Sequence, residues 1–451
     1  MLIDCDVHVT PETVRELADY TDSATRDLLL HSGTEGLALP DYPWYHPTGW
    51  VRKDAYDPTS ADPGMHTIDL AKVQAQVLDA HDVTFGIATP DTIGGALCVM
   101  PNPVLAAKLA SAHNDWVLEH YLQPEPRLRG LIAISPQNPH EAAKEIRRVG
   151  GRDEFSGIFL PGGARIPYGN PIHDPIWEAA DELALPVVVH THYEGVGIAG
   201  PVTAAGYPDF YVEYHTLCGS GMYGHFVSIL CHGIFERFPN TKVMMVEGGL
   251  VPFVGLLWRL DTNWKACRSE IPSCRKPPSE YVWEHVKFSS QPLETPEDPS
   301  LLAPAIQGLR PWDTLCFASD YPHWDYDEPA QTLRTLPAEW RENVAWRNAA
   351  EFYDLPVASD PQAPREREIA LAGAGAEPNA VAGAHARMAT LPSSLVLDDL
   401  LSRHDGDPPR AALRQAGFRS HDVDAWLERR AARSGARPAA STLRGGPGGP
   451  A

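Results

Sequence analysis

Eight short apolar segments recur between residues 1 and 319, and they constrain the fold more than any other feature of the chain. Each is four to six residues long and rich in β-forming residues, without alternation between apolar and polar positions. Segments of this kind are typical of parallel strands that are covered on both faces. The predicted strands are Leu2–Val7, Thr84–Ala88, Leu131–Ile134, Gly157–Leu160, Pro186–Val189, Lys242–Val246, Val286–Ser289 and Leu315–Ser319.

Helical patterns occupy the intervals between these strands, so strand and helix alternate eight times. This alternation predicts a (β/α)8 TIM barrel. The main alternative is an open doubly wound sheet, which needs a glycine-rich phosphate turn after the first strand. The chain reads Val-His-Val-Thr-Pro at that point, which disfavours the alternative. The predicted helices are His66–His81, Asn102–Tyr121, Pro139–Val149, Ile172–Leu185, Tyr214–Phe238, Pro252–Cys267, Glu297–Leu309 and Pro337–Tyr353.

Three segments fall outside the repeat. Residues 32–65 and 193–213 leave strands one and five at their C-terminal ends, where long loops usually form lids or pocket walls. Surface loops or subunit contacts are the alternative. Both segments are rich in aromatic residues, which favours a flat or cyclic substrate unless those residues pack the loops themselves. We expect a barrel domain over residues 1–356, a linker over 357–392, and a short helical and partly disordered tail over 393–451.

Charge and cysteine content restrict the compartment and the partners. The formal net charge of −22 disfavours nucleic acids and anionic membranes as partners. No run of about 18 apolar residues is present, so no transmembrane span is predicted. The seven cysteines are scattered and form no CxxC pair, which indicates a reducing, cytoplasmic location.

Metal-binding residue types stand at the ends of three predicted strands. Asp6 and His8 are two positions apart, which places both side chains on one face of strand one. His190 ends strand five, and Asp320 ends strand eight, which lies beside strand one in a closed barrel. A single residue of this kind could simply be a polar cap on its strand. Four at matching strand ends predict one divalent metal ion, and nitrogen and oxygen ligands suit Zn²⁺, Mn²⁺ or Fe²⁺.

Other histidines are weaker candidates for a functional role. His225 and His232 are seven residues apart in the fifth helical segment, so both could face one side. One of them could act as a general base, although packing within the helix explains each of them alone somewhat better. His323 follows Asp320 by three residues and is expected to orient a metal ligand. His192 follows His190 by two residues and could line the pocket.

Four motifs in this order resemble the amidohydrolase superfamily, in the branch similar to aminocarboxymuconate-semialdehyde decarboxylase. They are Ile3-Asp-Cys-Asp-Val-His, Leu185-Pro-Val-Val-Val-His, Gly233-Ile-Phe-Glu-Arg-Phe-Pro-Asn-Thr-Lys-Val and Ser319-Asp-Tyr-Pro-His. The resemblance covers about residues 1–355. It implies that His8, His190 and Asp320 bind the metal, and that the protein is a homodimer.

Two positions depart from the usual pattern of that superfamily. Asp6 stands where the first histidine of a His-x-His motif is usual, although related aromatic-acid decarboxylases carry an acid there. Glu247 stands where several relatives have a catalytic histidine, so it could be an acid, a base or a further ligand. Zn²⁺ is the first expectation, with Mn²⁺ and Fe²⁺ as alternatives; the extra carboxylate shifts the preference towards Mn²⁺.

The predicted function is that of a metal-dependent hydrolase, in which a metal-bound water attacks a carbonyl-type bond of a small cyclic or aromatic substrate. Asp320 would carry the proton, assisted by Glu247, His225 or His232. The alternative is a metal-dependent non-oxidative decarboxylase of an aromatic or unsaturated carboxylic acid. A barrel that binds ligands without catalysis is a third hypothesis. The fold does not decide among these three, because one fold supports many reactions.

Overall fold

Eight parallel strands form a barrel in the computed structural model, which describes residues 1–31, 39, 51–52, 54–55, 69–191, 193–217 and 219–357. Each strand pairs with its sequence neighbour, in the order β1 to β8. The predicted TIM barrel is therefore confirmed. The strands are β1 Ile3–Val9, β2 Phe85–Pro90, β3 Leu128–Ala133, β4 Phe155–Pro161, β5 Val187–His190, β6 Val243–Val246, β7 Val286–Ser289 and β8 Leu315–Cys316.

The barrel closes between β1 and the segment that follows β8. The amide of Cys5 donates to the carbonyl of Phe317 at 3.0 Å, and the amide of His8 donates to the carbonyl of Tyr321 at 2.7 Å. Only Leu315 and Cys316 pair regularly with β7, so β8 is shorter than the sequence predicts. The closing hydrogen bonds carry residues 317–321 along β1, and this places Asp320 beside His8.

Helices surround the strands, and glycine breaks the longest predicted one. The expected helix Tyr214–Phe238 is three separate helices. The break before the last of them lies at Gly233, which has a φ of 62° and where a Cβ would lie 2.5 Å from the carbonyl oxygen of Ser273. The helices are Val14–Tyr20, Ser23–His31, Leu70–Val73, Gln74–Leu78, Thr92–Cys98, Pro103–Val117, Leu118–Leu122, Pro139–Val149, Pro171–His173, Asp174–Glu182, Tyr211–Leu217, Ser220–Cys231, Ile234–Arg237, Val251–Cys267, Pro278–His285, Pro299–Leu301, Leu302–Ile306, Gln307–Leu309, Pro311–Thr314, Pro329–Thr335, Asn343–Arg347 and Asn348–Phe352.

Of three buried apolar clusters among the described residues, the two larger ones fill the barrel interior and the layer between strands and helices. The smaller cluster includes Ile3, Phe159, Val188 and Met244, one residue from each of four strands, and it occupies the interior. The larger cluster packs the outer faces of the strands against the helices. Within the described residues, no helix is long and apolar enough to cross a membrane. The linker and tail expected beyond residue 357, and most of the loop expected over 32–65, lie outside the described residues.

Candidate metal centre

The alternation of β5 and β1 brings three donor side chains into the barrel mouth. Val188 faces the interior, so His190, two positions later, does too. In β1, strict alternation would put Cys5 and His8 on opposite faces. The pairing register shifts between Asp4 and Val7, and this bulge breaks the alternation. Asp6 and His8 consequently both meet His190 at the C-terminal end of the barrel.

The three side chains are buried, and Asp6 contacts both histidines. Oδ2 of Asp6 is 3.1 Å from Nε2 of His190, and its Oδ1 is 3.5 Å from Nε2 of His8. The second nitrogen of His190, Nδ1, donates to the carbonyl of Thr191 at 2.6 Å. That bond fixes the tautomer of His190 and turns Nε2 towards the site, as in many histidine metal ligands.

Asp320 completes the group from the segment after β8. Its φ is 60°, in the left-handed region that aspartate tolerates better than most residues. Its Oδ1 lies 2.9 Å from Nε2 of His8. Its Oδ2 is buried and has no hydrogen-bond partner among the described residues. A buried carboxylate oxygen in this condition is costly unless a cation or a substrate proton meets it.

These four side chains fit a divalent cation. Two imidazole nitrogens and two carboxylates are donors that Zn²⁺, Mn²⁺ and Fe²⁺ accept. The ligand atoms of Asp6, His8 and His190 lie within 4.8 Å of one another. Besides the Asp320 oxygen, Oδ1 of Asp6 also lacks a hydrogen-bond partner among the described residues. A cation between the four side chains would give both oxygens a partner.

Charge in the site shifts the pKa of Asp6 and of His8. Burial alone would raise the pKa of Asp6, but the neighbouring His8 and His190 hold it well below its usual range. Burial likewise opposes protonation of His8, yet Asp6 and Asp320 raise the pKa of His8 to about 10. Without a metal, His8 therefore holds a proton at neutral pH. Metal binding must release this proton, so metal affinity should increase with pH.

Glu247 stands at the rim of the same site. Its backbone is also left-handed, with a φ of 62°, and its amide donates to the Ser289 hydroxyl at 3.0 Å. Its Oε2 lies 3.6 Å from Nε2 of His190, and its side chain is 11% exposed, whereas Asp320 is fully buried. Burial, together with the nearby Asp320 and Asp325, raises the pKa of Glu247 well above its usual range. This geometry suits both an acid and a further ligand.

His323 and Asp91 extend the site through a chain of contacts. Nδ1 of His323 lies 2.6 Å from Oδ1 of Asp320, and its Nε2 lies 3.7 Å from Oδ2 of Asp91. Burial lowers the pKa of His323, but Asp320 and then Asp91 raise it well above its usual value. The sequence predicted that His323 orients a metal ligand, and its contact with Asp320 is compatible with that role, but sequence reasoning missed Asp91. Asp91 directly follows β2. A search for acidic residues at strand ends, which selected Asp320, would therefore also have selected Asp91.

His225 and His232 are not brought to the metal-binding group. His225 is buried; its Nε2 donates to the carbonyl of Gly162 at 2.9 Å, and its Nδ1 accepts from the amide of Tyr168 at 3.2 Å. Both ring nitrogens therefore form hydrogen bonds with backbone groups of the loop after β4. His232 is exposed and follows the last residue of helix Ser220–Cys231. His192 lies outside the described residues.

We expect His225 to contribute to acid sensitivity. Burial lowers its pKa from 6.5 to about 4, so the unfolded chain binds a proton that the folded chain does not. Stability is then lost as the pH falls below 6.5, until the folded-state pKa is reached. Between pH 7 and pH 4.5, the free energy of unfolding of His225→Gln should fall by about 2 kcal/mol less than that of the wild type. Urea unfolding at both pH values measures this difference, and equal losses in the two proteins would contradict it.

The sequence of the barrel is similar to that of a known family and of several decarboxylases. A family model described as "Amidohydrolase" matches residues 3–355. A gamma-resorcylate decarboxylase of Polaromonas sp. (strain JS666 / ATCC BAA-500) is 23% identical over 310 residues, 64% of this chain and 88% of that protein. A 2-amino-3-carboxymuconate-6-semialdehyde decarboxylase of Dictyostelium discoideum is 23% identical over 368 residues, 78% of this chain and 91% of that protein.

A solved structure has the same fold. It is a dihydroxybenzoic acid decarboxylase from Polaromonas sp. JS666 with bound manganese and the inhibitor 2-nitroresorcinol. Its TM-score is 0.54 at 17% identity, over 79% of this chain and 98% of that one. The family match covers the whole barrel, including all four strand-end donors, and it agrees with the resemblance read from the motifs. The chain belongs to the amidohydrolase family.

Proposed function

We propose that this protein is a metal-dependent non-oxidative decarboxylase of an aromatic or related unsaturated carboxylic acid. The meeting of Asp6, His8, His190 and Asp320 at the mouth of the barrel carries the metal-dependent part of the proposal, and the relatives carry the choice of decarboxylation. Hydrolysis was the first prediction from the sequence, but the relatives that match over most of their length are decarboxylases. They favour the alternative prediction, since the donors alone suit both reactions.

Asp6, His8, His190 and Asp320 would hold one divalent ion. When bound, the ion would fix the substrate carboxylate and a neighbouring oxygen substituent and neutralise their charge. Two carboxylate ligands make Mn²⁺ a better candidate than the zinc expected first, because harder oxygen ligands suit Mn²⁺. The relative solved with bound manganese supports the same choice. A homodimer stays a prediction of the family resemblance.

Asp320 is placed to transfer the proton that decarboxylation requires. Replacing a carboxylate by hydrogen on a ring needs one proton at the carbon that bears the carboxylate. In its acid form Asp320 would give that proton from Oδ2. The bond between ring and carboxylate then breaks, its electron pair restores the unsaturated ring, and carbon dioxide leaves. A proton from His323 Nδ1, 2.6 Å from Oδ1, would restore the acid form.

His323 should control the rate and the alkaline side of the pH profile. Its raised pKa keeps it charged at neutral pH, and this charge is lost as the pH rises through that pKa. At saturating Mn²⁺, His323→Asn should lower kcat about 10²-fold, and loss of its contact with Asp320 should also weaken Mn²⁺ binding. Asp91→Asn is the matched variant: it should retain kcat at pH 6 but move the alkaline decline to lower pH. Identical profiles for Asp91→Asn and wild type would count against the relay.

Product analysis separates the competing functions. The manganese-loaded protein would be incubated with three acids after which similar decarboxylases are named: 2,6-dihydroxybenzoate, 5-carboxyvanillate and 2-amino-3-carboxymuconate-6-semialdehyde. Aromatic esters, amides and lactones would be tested separately. We expect carbon dioxide release from at least one of the acids, together with the corresponding decarboxylated product. Hydrolysis of the second group without carbon dioxide release would replace our proposal by the hydrolase function. Stoichiometric ligand binding with neither reaction would favour a non-catalytic barrel.

A further inference from the structure

A buried carboxylate, that of Asp4, lies where β1 departs from regular pairing. The pairing with β2 shifts between Asp4 and Val7, where three residue steps along β1 span two steps along β2. The side chain of Asp4 is only 1% exposed, and it is not one of the four metal donors. A buried carboxylate is costly unless hydrogen bonds compensate for the lost water. The partners of Asp4 therefore indicate what this side chain does.

One oxygen of Asp4 binds two backbone amides. Its Oδ1 accepts from the amide of Asp6 at 3.2 Å and from the amide of Ser319 at 2.9 Å. The first bond is one that aspartate side chains commonly form with the amide two residues further on, and it stabilises the bulge that turns Asp6 towards His190. The second bond crosses from β1 to the segment after β8. Asp4 thus connects the two backbone segments that carry the carboxylate donors.

The hydroxyl of Ser319 adds two contacts around Asp320. It donates to the carbonyl of Asp6 at 3.4 Å and accepts from the amide of Tyr321 at 3.2 Å. The backbone amides on both sides of Asp320 are therefore bound, one by Asp4 and one by the Ser319 hydroxyl. Asp320 has a left-handed φ of 60°, and a backbone in this region persists only where its surroundings hold it. These bonds are part of what holds it.

The spacing of the two carboxylate donors depends on this connection. Oδ1 of Asp6 and Oδ1 of Asp320 approach the same atom, Nε2 of His8, at 3.5 Å and 2.9 Å. They come from neighbouring segments of the closed barrel, so a shift of one segment along the other changes the distance between them. Side chains that orient metal ligands without touching the ion typically change metal affinity 10- to 100-fold. Asp4 and the Ser319 hydroxyl stand in that relation to Asp6 and Asp320.

We propose that Asp4 is a positioning residue of the metal centre, and that with the Ser319 hydroxyl it sets the spacing of the Asp6 and Asp320 carboxylates. The inference rests on the metal centre of the proposed function and is independent of the reaction that this centre catalyses. It requires an acceptor oxygen at the place of Oδ1 and no negative charge on Asp4. If Asp4 only stabilised the closure of the barrel, its loss would lower stability without a specific effect on the ion.

Mn²⁺ affinity tests the role of Asp4 without any activity assay. The full-length protein, stripped with a chelator and desalted, would be titrated with Mn²⁺ while the signal of the free ion is followed by electron paramagnetic resonance. We expect Asp4→Ala to raise the Kd for Mn²⁺ about 10²-fold and Ser319→Ala to raise it about 10-fold. Asp4→Asn keeps an acceptor oxygen, so its Kd should stay within about threefold of the wild-type value.

Asn348→Ala is the matched control for a loss of stability alone. The buried side-chain amide of Asn348 donates to the carbonyl of Leu315 at 2.7 Å, at the start of β8. Among the described residues, it shows no hydrogen bond to any of the four metal donors. Urea unfolding of the metal-free proteins would show lower stability for both Asn348→Ala and Asp4→Ala. Only Asp4→Ala should lose affinity for Mn²⁺.

The possible outcomes are distinct. Wild-type affinity in Asp4→Ala, or an equal loss in Asp4→Ala and Asp4→Asn, would overturn the role of Asp4 as an acceptor. An equal loss in Asn348→Ala would overturn it too, because lower stability would then explain the effect. If Asp4→Ala does not fold, unchanged affinity in Ser319→Ala overturns the proposal. A wild-type protein that binds no Mn²⁺ would overturn the metal centre itself, whereas failure to release carbon dioxide would bear on the proposed reaction only.

Discussion

Replacing Asp320 with asparagine should lower kcat about 10³-fold or more. The amide cannot carry the proton that decarboxylation needs at the ring carbon, and general acids typically contribute 10² to 10⁴ in rate. Asparagine has nearly the same shape and also tolerates the left-handed φ of 60° at this position, so the fold should survive. The expected protein is therefore folded and nearly inactive. Steady-state carbon dioxide release and a thermal melt measure the two properties.

Asp327→Asn provides the matched control for this loss. Asp327 lies seven residues further on, and burial together with Asp325 and Asp320 raises its pKa to about 7. It contacts none of the four proposed metal ligands through a hydrogen bond or ion pair that the described residues show. Its loss should change kcat by only a few-fold. If both variants lost activity equally, the charge of the region would explain the effect and Asp320 would not be the proton donor.

The effect on metal binding separates two roles of Asp320. If Asp320 is a metal ligand, the asparagine variant lacks one anionic donor, and its Mn²⁺ affinity should fall. If Asp320 also carries the proton, kcat of the variant should stay low even when Mn²⁺ is saturating. We expect both effects, so activity should stay low across a full Mn²⁺ titration. Recovery of kcat above about a tenth of wild type at saturating Mn²⁺ would limit Asp320 to metal binding.

The sequence predicted the barrel well because parallel strands have a simple signature. β7 has the same bounds in sequence and structure, and the other strands shift at their ends by a few residues. β8 is the exception. Apolar content predicted a strand through Ser319, but pairing with β7 ends at Cys316 and the chain then bonds to β1. Hydrophobicity reports that a segment is buried, and it cannot report which neighbour receives its hydrogen bonds.

The candidate site was predictable only where its residues terminate strands. Asp6, His8, His190 and Asp320 could be selected by that rule, and their mutual contacts required the closed barrel. The histidines of the fifth helical segment show the limit of periodicity. His225 and His232 share a helical face, but seven residues correspond to about 10 Å along the axis. Periodicity gives the face of a helix and not the depth of a side chain within the fold.

The sequence could not predict that His215 and Asp325 lie close to Glu247. His215 follows no strand, and its helix lies within a long connection after β5, so no pattern in the sequence singles it out. Its position depends on stacking against Tyr211 and Trp324, which are distant from each other in the sequence. No local pattern encodes such a contact. Only the assembled mouth of the barrel brings His215 and Asp325 next to Glu247.

Replacing His190 with alanine should remove both metal binding at the first site and turnover. His190 supplies one of two nitrogen donors, and its Nε2 contacts Asp6 at 3.1 Å and approaches Glu247 at 3.6 Å. Loss of even a supporting hydrogen bond to a metal ligand lowers affinity 10- to 100-fold, so loss of the ligand should cost at least about 10²-fold. Activity should fall to background at micromolar Mn²⁺.

Metal-linked stability provides a second measurement that does not require a substrate. An ion that binds only the folded state stabilises it by about 2.7 kcal/mol when present at 100 times its Kd. Mn²⁺ should therefore raise the Tm of the chelator-treated wild type and leave the Tm of His190→Ala almost unchanged. An equal rise in both would place the tightly bound ion elsewhere. In the variant, Asp6 also loses its partner at Oδ2. The metal-free variant should therefore melt lower than metal-free wild type, because a buried carboxylate oxygen that has lost its hydrogen-bond partner destabilises the folded state.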